Sequence, residues 1–190
     1  MWAGKDGPEV AAIARSTKRC RATQDDGAVL VEFALVLPIL AMFLFGIISA
    51  GMAWNQNLAL AHGERVAGRY AATLPTRNYT SLDDYLDAVA TRVVGASEGS
   101  LDTGVSGRVV CVAYVHPSGS TTLDQTRRRY ETTSGVTRAA STCFSDGQGS
   151  DESRVQIMTE RTTNFETGIW SRTVTLHQQL VFRYEVTDGL

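Results

Sequence analysis

The chain has 190 residues, 43% of them hydrophobic, and a formal net charge of -2. That length leaves room for one modest domain beside a membrane span. The near-balanced charge excludes the dense basic surface of electrostatic nucleic-acid binders, so no nucleic-acid partner is expected.

In chain order, Met1 to Gly27 reads as a basic cytoplasmic leader. Lys5, Arg15, Lys18, Arg19 and Arg21 precede a long apolar run, while Arg65 and Arg69 are the cations within comparable reach beyond it. The positive-inside bias predicts a cytoplasmic N-terminus and an extracytoplasmic C-terminal part. The run is too long for a secretory signal and lacks a small-x-small cleavage site at its end. Cys20 lies among basic residues before the run, which excludes a lipoprotein signal.

Between Ala28 and Gly63 the one formally charged side chain is Glu32. Phe33 to Trp54 is an uninterrupted stretch of roughly 22 residues, and a helix needs about 20 to cross the hydrocarbon core. A buried core helix of this length would show a polar face, and this one does not. The sequence predicts a single-pass transmembrane helix. Pro38 is expected to bend it near its start. Gly46-x-x-x-Ala50 offers a small-residue face for contact with another helix.

Glu32 has two readings. It can lie at the membrane interface, one turn into the helix, where the positive N-terminal end of the helix favours it. Alternatively the chain is cut after Gly27, and the new α-ammonium of Ala28 compensates a carboxylate that is otherwise costly in an apolar segment.

The string Gly27-Ala28-Val29-Leu30-Val31-Glu32-Phe33-Ala34-Leu35-Val36-Leu37-Pro38 resembles the N-terminus of TadE-like proteins, pilin-like components of tight-adherence (Flp type) pilus systems. The segment Asn57 to Ala71, ending Gly68-Arg69-Tyr70-Ala71, is similar to the Ala-rich segment of that family. The resemblance covers Gly27 to Ala72. Asp25-Asp26 departs from the basic or neutral residues that family leaders often carry before the glycine. The resemblance implies a structural subunit, a minor pilin or pseudopilin, processed by a prepilin peptidase between Gly27 and Ala28. It implies Flp-type pilins and TadF-like subunits as assembly partners, with Glu32 neutralising the new N-terminus of a neighbouring subunit. The second reading is an uncleaved single-pass anchor displaying a small binding domain.

The helix is expected to continue from Asn55 to Leu74, with Pro75 as its stop. Leu58, Val66, Tyr70 and Leu74 share one i+4 row with His62 between them, and Ala59, Gly63, Ala67 and Ala71 form an all-small row beside it. The small row is expected to pack against the domain's own sheet or against neighbouring helices. Ser81-x-x-Asp84 resembles a capping box. After it Leu82, Tyr85, Leu86, Val89 and Val93 form one apolar stripe of a second helix, with Gly95 or Gly99 to end it.

The remainder reads as β. Val109 to Val115 is apolar on both faces and predicts a covered central strand. Arg154 to Thr159 and Thr173 to Val186 are further strands, the latter alternating with Val174, Leu176, Leu180, Phe182, Tyr184 and Val186 on one parity. Gln178 interrupts that parity, as at a bulge or where the strand leaves the core. Glu166-Thr167-Gly168 reads as the turn before the last strand. Residues 117–153 are polar and read as a long loop, with Arg127-Arg128-Arg129 as a solvated charge run.

Cys111 and Cys143 fall on the oxidising side. They are read either as a disulfide or as two buried thiols. No residues have metal-motif spacing, and no nucleophile elbow, HExxH or Walker loop is present. Neither catalytic residues nor a cofactor are expected. The fold class that follows is α+β, with a leader at 1–27, a long helix at 28–74, and an extracytoplasmic, pilin-like domain at 75–190. In that domain a second helix is expected to pack on an antiparallel sheet.

Overall fold

A computed structural model describes residues 24–116, 126–148, 152–167 and 170–184. Most of the leader, including Cys20, lies outside the described residues, as do Gly168 of the expected turn and Val186 of the expected last strand. Helix α1 runs from Gln24 to Thr73 and carries Pro38 inside it. The chain divides into two units, one up to Leu40 and one from Ala41 onward. In the first, the helix residues from Gly27 to Leu40 are exposed throughout.

The second unit is α+β. Helix α2 (Leu82–Ala96) follows a short 3-10 turn at Thr76–Asn78. Ser81 caps it: its Oγ accepts from the Asp84 N–H at 3.1 Å and donates to Asp84 Oδ2 at 2.9 Å. Asp83 and Asp84 in the first turn suit the positive end of the helix. Gly95 stays helical. The chain turns instead at Glu98 and Gly99, both at positive φ.

Five antiparallel strands complete the unit: β1 (Val109–Val115), β2 (Arg127–Thr132), β3 (Gly135–Ala139), β4 (Arg154–Glu166) and β5 (Ser171–Arg183). Their order is β3-β2-β1-β4-β5. β1 is central and buried at every position, as its two-sided apolar sequence demands. Val110, Val112 and Tyr114 face Leu86, Val89 and Val93 of α2 in a core that also takes in Leu60, Ala67 and Ala71 of α1. On the opposite parity Val109 and Cys111 pack with Met158 beneath Tyr130, Cys143 and Phe144. Both faces of the central strands are therefore dry, and burial of each large aliphatic side chain contributes about 1.5–3 kcal/mol.

Two expectations need correction. The loop placed at 117–153 contains the β2–β3 hairpin, paired in register from Arg128↔Ala139 to Thr132↔Gly135. The run Arg127-Arg128-Arg129 is part of β2 rather than a solvated loop. Arg129 pairs with Asp87 of α2 at 2.6 Å, and Arg138 of β3 reaches the same carboxylate at 2.6 Å. Polar strands of this kind carry no apolar alternation, because their cations are compensated from another element. Second, Gln178 marks no bulge. The β4–β5 register is continuous from Arg154↔Arg183 to Glu166↔Ser171, and Gln178 Nε2 donates to Asn57 Oδ1 of α1 at 2.8 Å. On α1 the small row is buried together with Leu60, Glu64, Gly68 and Ala72, whereas Leu58 and His62 are exposed.

Candidate functional site

Gly27, Ala28 and Glu32 lie within the first turns of α1. Ala28 and Glu32 are four residues apart and so share one helix face. Both are exposed, and the bond between Gly27 and Ala28 is accessible. A methyl group built on Gly27 would meet nothing within 4 Å. Packing therefore does not require glycine there, and its absent side chain is free to serve recognition.

Most of the apolar side chains that follow are exposed as far as Trp54, with Ala41, Met42 and Ala53 half-buried: Phe33 is 59% accessible, Phe43 67% and Ile47 70%. In water such a surface would be strongly unfavourable, and a lipid or protein environment is what it suits. Gly46 and Ala50 lie on this helix, and no side chain or backbone of the domain closes on Gly46. Their small-residue face is open to a partner helix. Ala50 also borders a groove of about 520 Å³ between α1 and β5, lined by Trp54, Asn57, Phe165, Leu176 and Gln178.

The glycines further along α1 behave differently. A Cβ on Gly63 would stand 2.9 Å from the Val93 carbonyl oxygen of α2, and one on Gly68 would overlap the Phe182 ring of β5. The small row thus packs inside the domain, against α2 and not only the sheet. This part of α1 is a structural element of the domain core as well as the continuation of the apolar helix.

Cys111 and Cys143 are joined in a disulfide. It ties the segment after β3 onto the outer face of β1. Gln156 of β4 supports the same segment: it accepts from the Cys143 N–H at 3.0 Å and donates to the Phe144 carbonyl at 3.0 Å and to Asp146 Oδ2 at 2.7 Å. Burial raises the Asp146 carboxyl, but hydrogen bonds from Arg154 and Gln156 outweigh it and hold the group below its ordinary range.

Two residues escaped the sequence reading. Ser49 is the one hydroxyl between Phe33 and Trp54, and its Oγ donates to the Glu166 carbonyl at the end of β4, 2.6 Å away. A lone hydroxyl in an apolar run was the available signal, since such a group seeks a partner. Glu64 is wholly buried and accepts from Thr159 Oγ1 of β4 at 2.8 Å. Its Oε2 has no hydrogen-bond partner among the described residues. Burial pushes this carboxyl up to about 8, against the lowering effect of the Thr159 bonds. A carboxylate one residue from the Ala59-Gly63-Ala67 row was the signal here. Among the described residues no group of three His, Cys, Asp or Glu side chains is placed to hold a metal ion.

Compared with known proteins, residues 27–69 match the family model described as TadE-like protein. The matched segment begins at Gly27, includes Glu32 and Glu64, and ends inside the buried part of α1. No curated protein and no solved structure matches the chain.

Proposed function

Proceeding from the TadE-like match over residues 27–69, we propose that the chain is a minor pilin or pseudopilin of a tight-adherence (Flp type) pilus assembly or secretion machinery. It is a structural, non-enzymatic subunit. It inserts with its N-terminus in the cytoplasm and its C-terminal domain extracytoplasmic. A prepilin peptidase cuts between Gly27 and Ala28. Assembly with Flp-type pilins and TadF-like subunits then proceeds through the apolar part of α1, with Gly46 and Ala50 on the contact face. Glu32 pairs with the Ala28 ammonium of a neighbouring subunit.

The observation that carries this reading is the glycine at the start of the matched segment. It is exposed, unconstrained by packing, and followed at the fifth position by the one carboxylate of the apolar run. The accessible apolar surface from Val29 to Trp54 supports it, since a helix that must leave the bilayer for an assembly needs partners along its length.

Two substitutions test it. Gly27 is exposed and a Cβ there meets nothing within 4 Å, so in Gly27→Leu the helix should be unharmed while cleavage is lost and full-length protein accumulates. Glu32→Ala removes a charge from an apolar segment, a gain for insertion of up to about 3 kcal/mol at a helix centre and less near the ends. Membrane insertion should hold and co-purification with pilin subunits should fail. If Gly27→Leu migrates with wild type and Glu32→Ala assembles normally, the chain is an uncleaved anchor for its domain.

A further inference from the structure

The apolar run read from the sequence reaches Trp54, but the domain comes down beside α1 before that run ends. β4 pairs with β1 from Arg154 to Glu160, and β4 and β5 continue together to Glu166 and Ser171. Two hydrogen bonds fix their level on the helix. Gln178 Nε2 donates to Asn57 Oδ1 at 2.8 Å, and Ser49 Oγ donates to the Glu166 carbonyl at 2.6 Å. In register, Thr159 pairs with Gln178 and Glu166 with Ser171. The strand pair therefore flanks α1 from Asn57 back to Ser49, about 12 Å of helix.

What this part of the strand pair exposes is polar. Asn164, Glu166, Arg172 and Thr173 are exposed. β5 is the last strand of the sheet, so its outer edge carries backbone groups without a ladder partner among the described residues. Open strand edges do not occur exposed to lipid in the hydrocarbon, where their polar groups stay unsatisfied. Charged side chains such as Glu166 and Arg172 are costly there as well. A span from Phe33 to Trp54 would put all of these in lipid.

The helix has enough apolar length to avoid this. Ala28 to Ile48 rises about 31 Å, against a hydrocarbon core of about 30 Å. Ser49 is also the first polar side chain of the run after Glu32.

We infer that the hydrocarbon-spanning part of α1 is Ala28 to Ile48, and that Ser49 to Trp54, although apolar, stands outside the hydrocarbon beside the strand pair. This rests on the reading of α1 as a membrane span. Counted along the chain, the Gly27–Ala28 bond then falls at the cytoplasmic edge of the hydrocarbon, within reach of a peptidase. Glu32 falls about 6 Å inside that edge rather than in the headgroup layer. A carboxylate at that depth needs compensation, which the α-ammonium of a processed Ala28 supplies.

The test uses the full chain carrying Cys20→Ala. With Cys111 and Cys143 joined, each introduced cysteine is then the reactive thiol. Leu44, Met52 and Leu58 on α1 are replaced singly by Cys; they are similarly accessible in the fold, at 57%, 56% and 53%. Each purified variant is reconstituted in phosphatidylcholine–phosphatidylglycerol vesicles and treated with N-ethylmaleimide. This reagent crosses the bilayer but reacts with thiolate, which forms in water and not in hydrocarbon. Rates are read from the adduct mass and normalised to the same variant unfolded in dodecyl sulfate. Met52→Cys and Leu58→Cys should react at similar rates, and Leu44→Cys at least about tenfold more slowly. Slow Met52→Cys beside fast Leu58→Cys overturns the inference and leaves the span intact, because the hydrocarbon then extends past Ser49. Slow reaction at all three positions overturns it in the same way. Fast reaction at all three overturns the span itself.

Discussion

Glu64 puts a carboxyl group in a place where ionisation is unfavourable. Its ordinary value near 4.5 is raised to about 8 in the folded chain by burial. Between those two values the folded state holds a proton that the unfolded state has released. Stability is therefore highest below about pH 4.5 as far as this group is concerned, and is lost as pH rises towards 8, at up to about 1.4 kcal/mol per pH unit. Thermal unfolding of the detergent-solubilised protein should show a midpoint that falls from pH 5 to pH 8. Glu64→Gln keeps an oxygen for the Thr159 donor and cannot titrate, so its midpoint should be flatter over that range. A variant that tracks wild type at every pH would remove Glu64 as the cause. Gly63 makes a second claim at this scale. With the Val93 carbonyl oxygen 2.9 Å from a built Cβ, Gly63→Ala must part α1 from α2, at a cost of about 1–3 kcal/mol in the same melts. Gly46→Ala meets no neighbour and should leave stability of the isolated subunit unchanged.

Among elements, the segment after β3 depends most on long-range ties. Its Cys143 and Phe144, with Tyr130 of β2, cover the outer face of β1, and it is held by the Cys111–Cys143 disulfide and by Gln156. Closing a loop across a sequence separation of 32 contributes about 3–4 kcal/mol by chain entropy. The Cys111→Ala/Cys143→Ala double variant should lose about that much, and wild type should run faster on a non-reducing gel than after reduction. Unchanged mobility would contradict the bond. The hydrogen bonds of Gln156 survive in that variant, so the segment should loosen without detaching. Gln156→Leu added to it should expose Met158 and Val109, read as faster proteolysis within residues 140–148.

For the whole molecule, α1 is the shared element: an accessible apolar surface in its first part and a wall of the domain core in its last. The orientation argued from the leader cations predicts a clear labelling pattern. Ser134, exposed in the turn between β2 and β3, is replaced by Cys as a probe in the otherwise disulfide-bonded protein. A membrane-impermeant maleimide applied to intact cells should modify Ser134→Cys and leave Cys20 of unprocessed chains unmodified. Labelling of Cys20 with Ser134→Cys protected would reverse the topology and remove the prepilin-peptidase reading with it.

The features legible in the sequence are those that a short window specifies. An unbroken apolar run defines α1, a capped i, i+3, i+4 stripe defines α2, and a two-sided apolar heptapeptide defines the buried β1. Each follows from one element choosing its own solvent. The even pair of cysteines beyond the span narrowed their state to two readings, and the Gly27 to Pro38 string pointed to TadE-like proteins. Tertiary structure decided the rest, because it depended on partners far along the chain. Polar β2 and β3 form strands because α2 supplies Asp87 to their arginines. Glu64 is buried because Thr159, 95 residues away, is there to donate to it. Gln178 fits an inward position because Asn57 meets it. Ser49 finds its hydrogen-bond partner in the end of β4, 117 residues later. Periodicity records the polarity of a surface, and it cannot record compensation between groups that only folding brings within hydrogen-bonding distance.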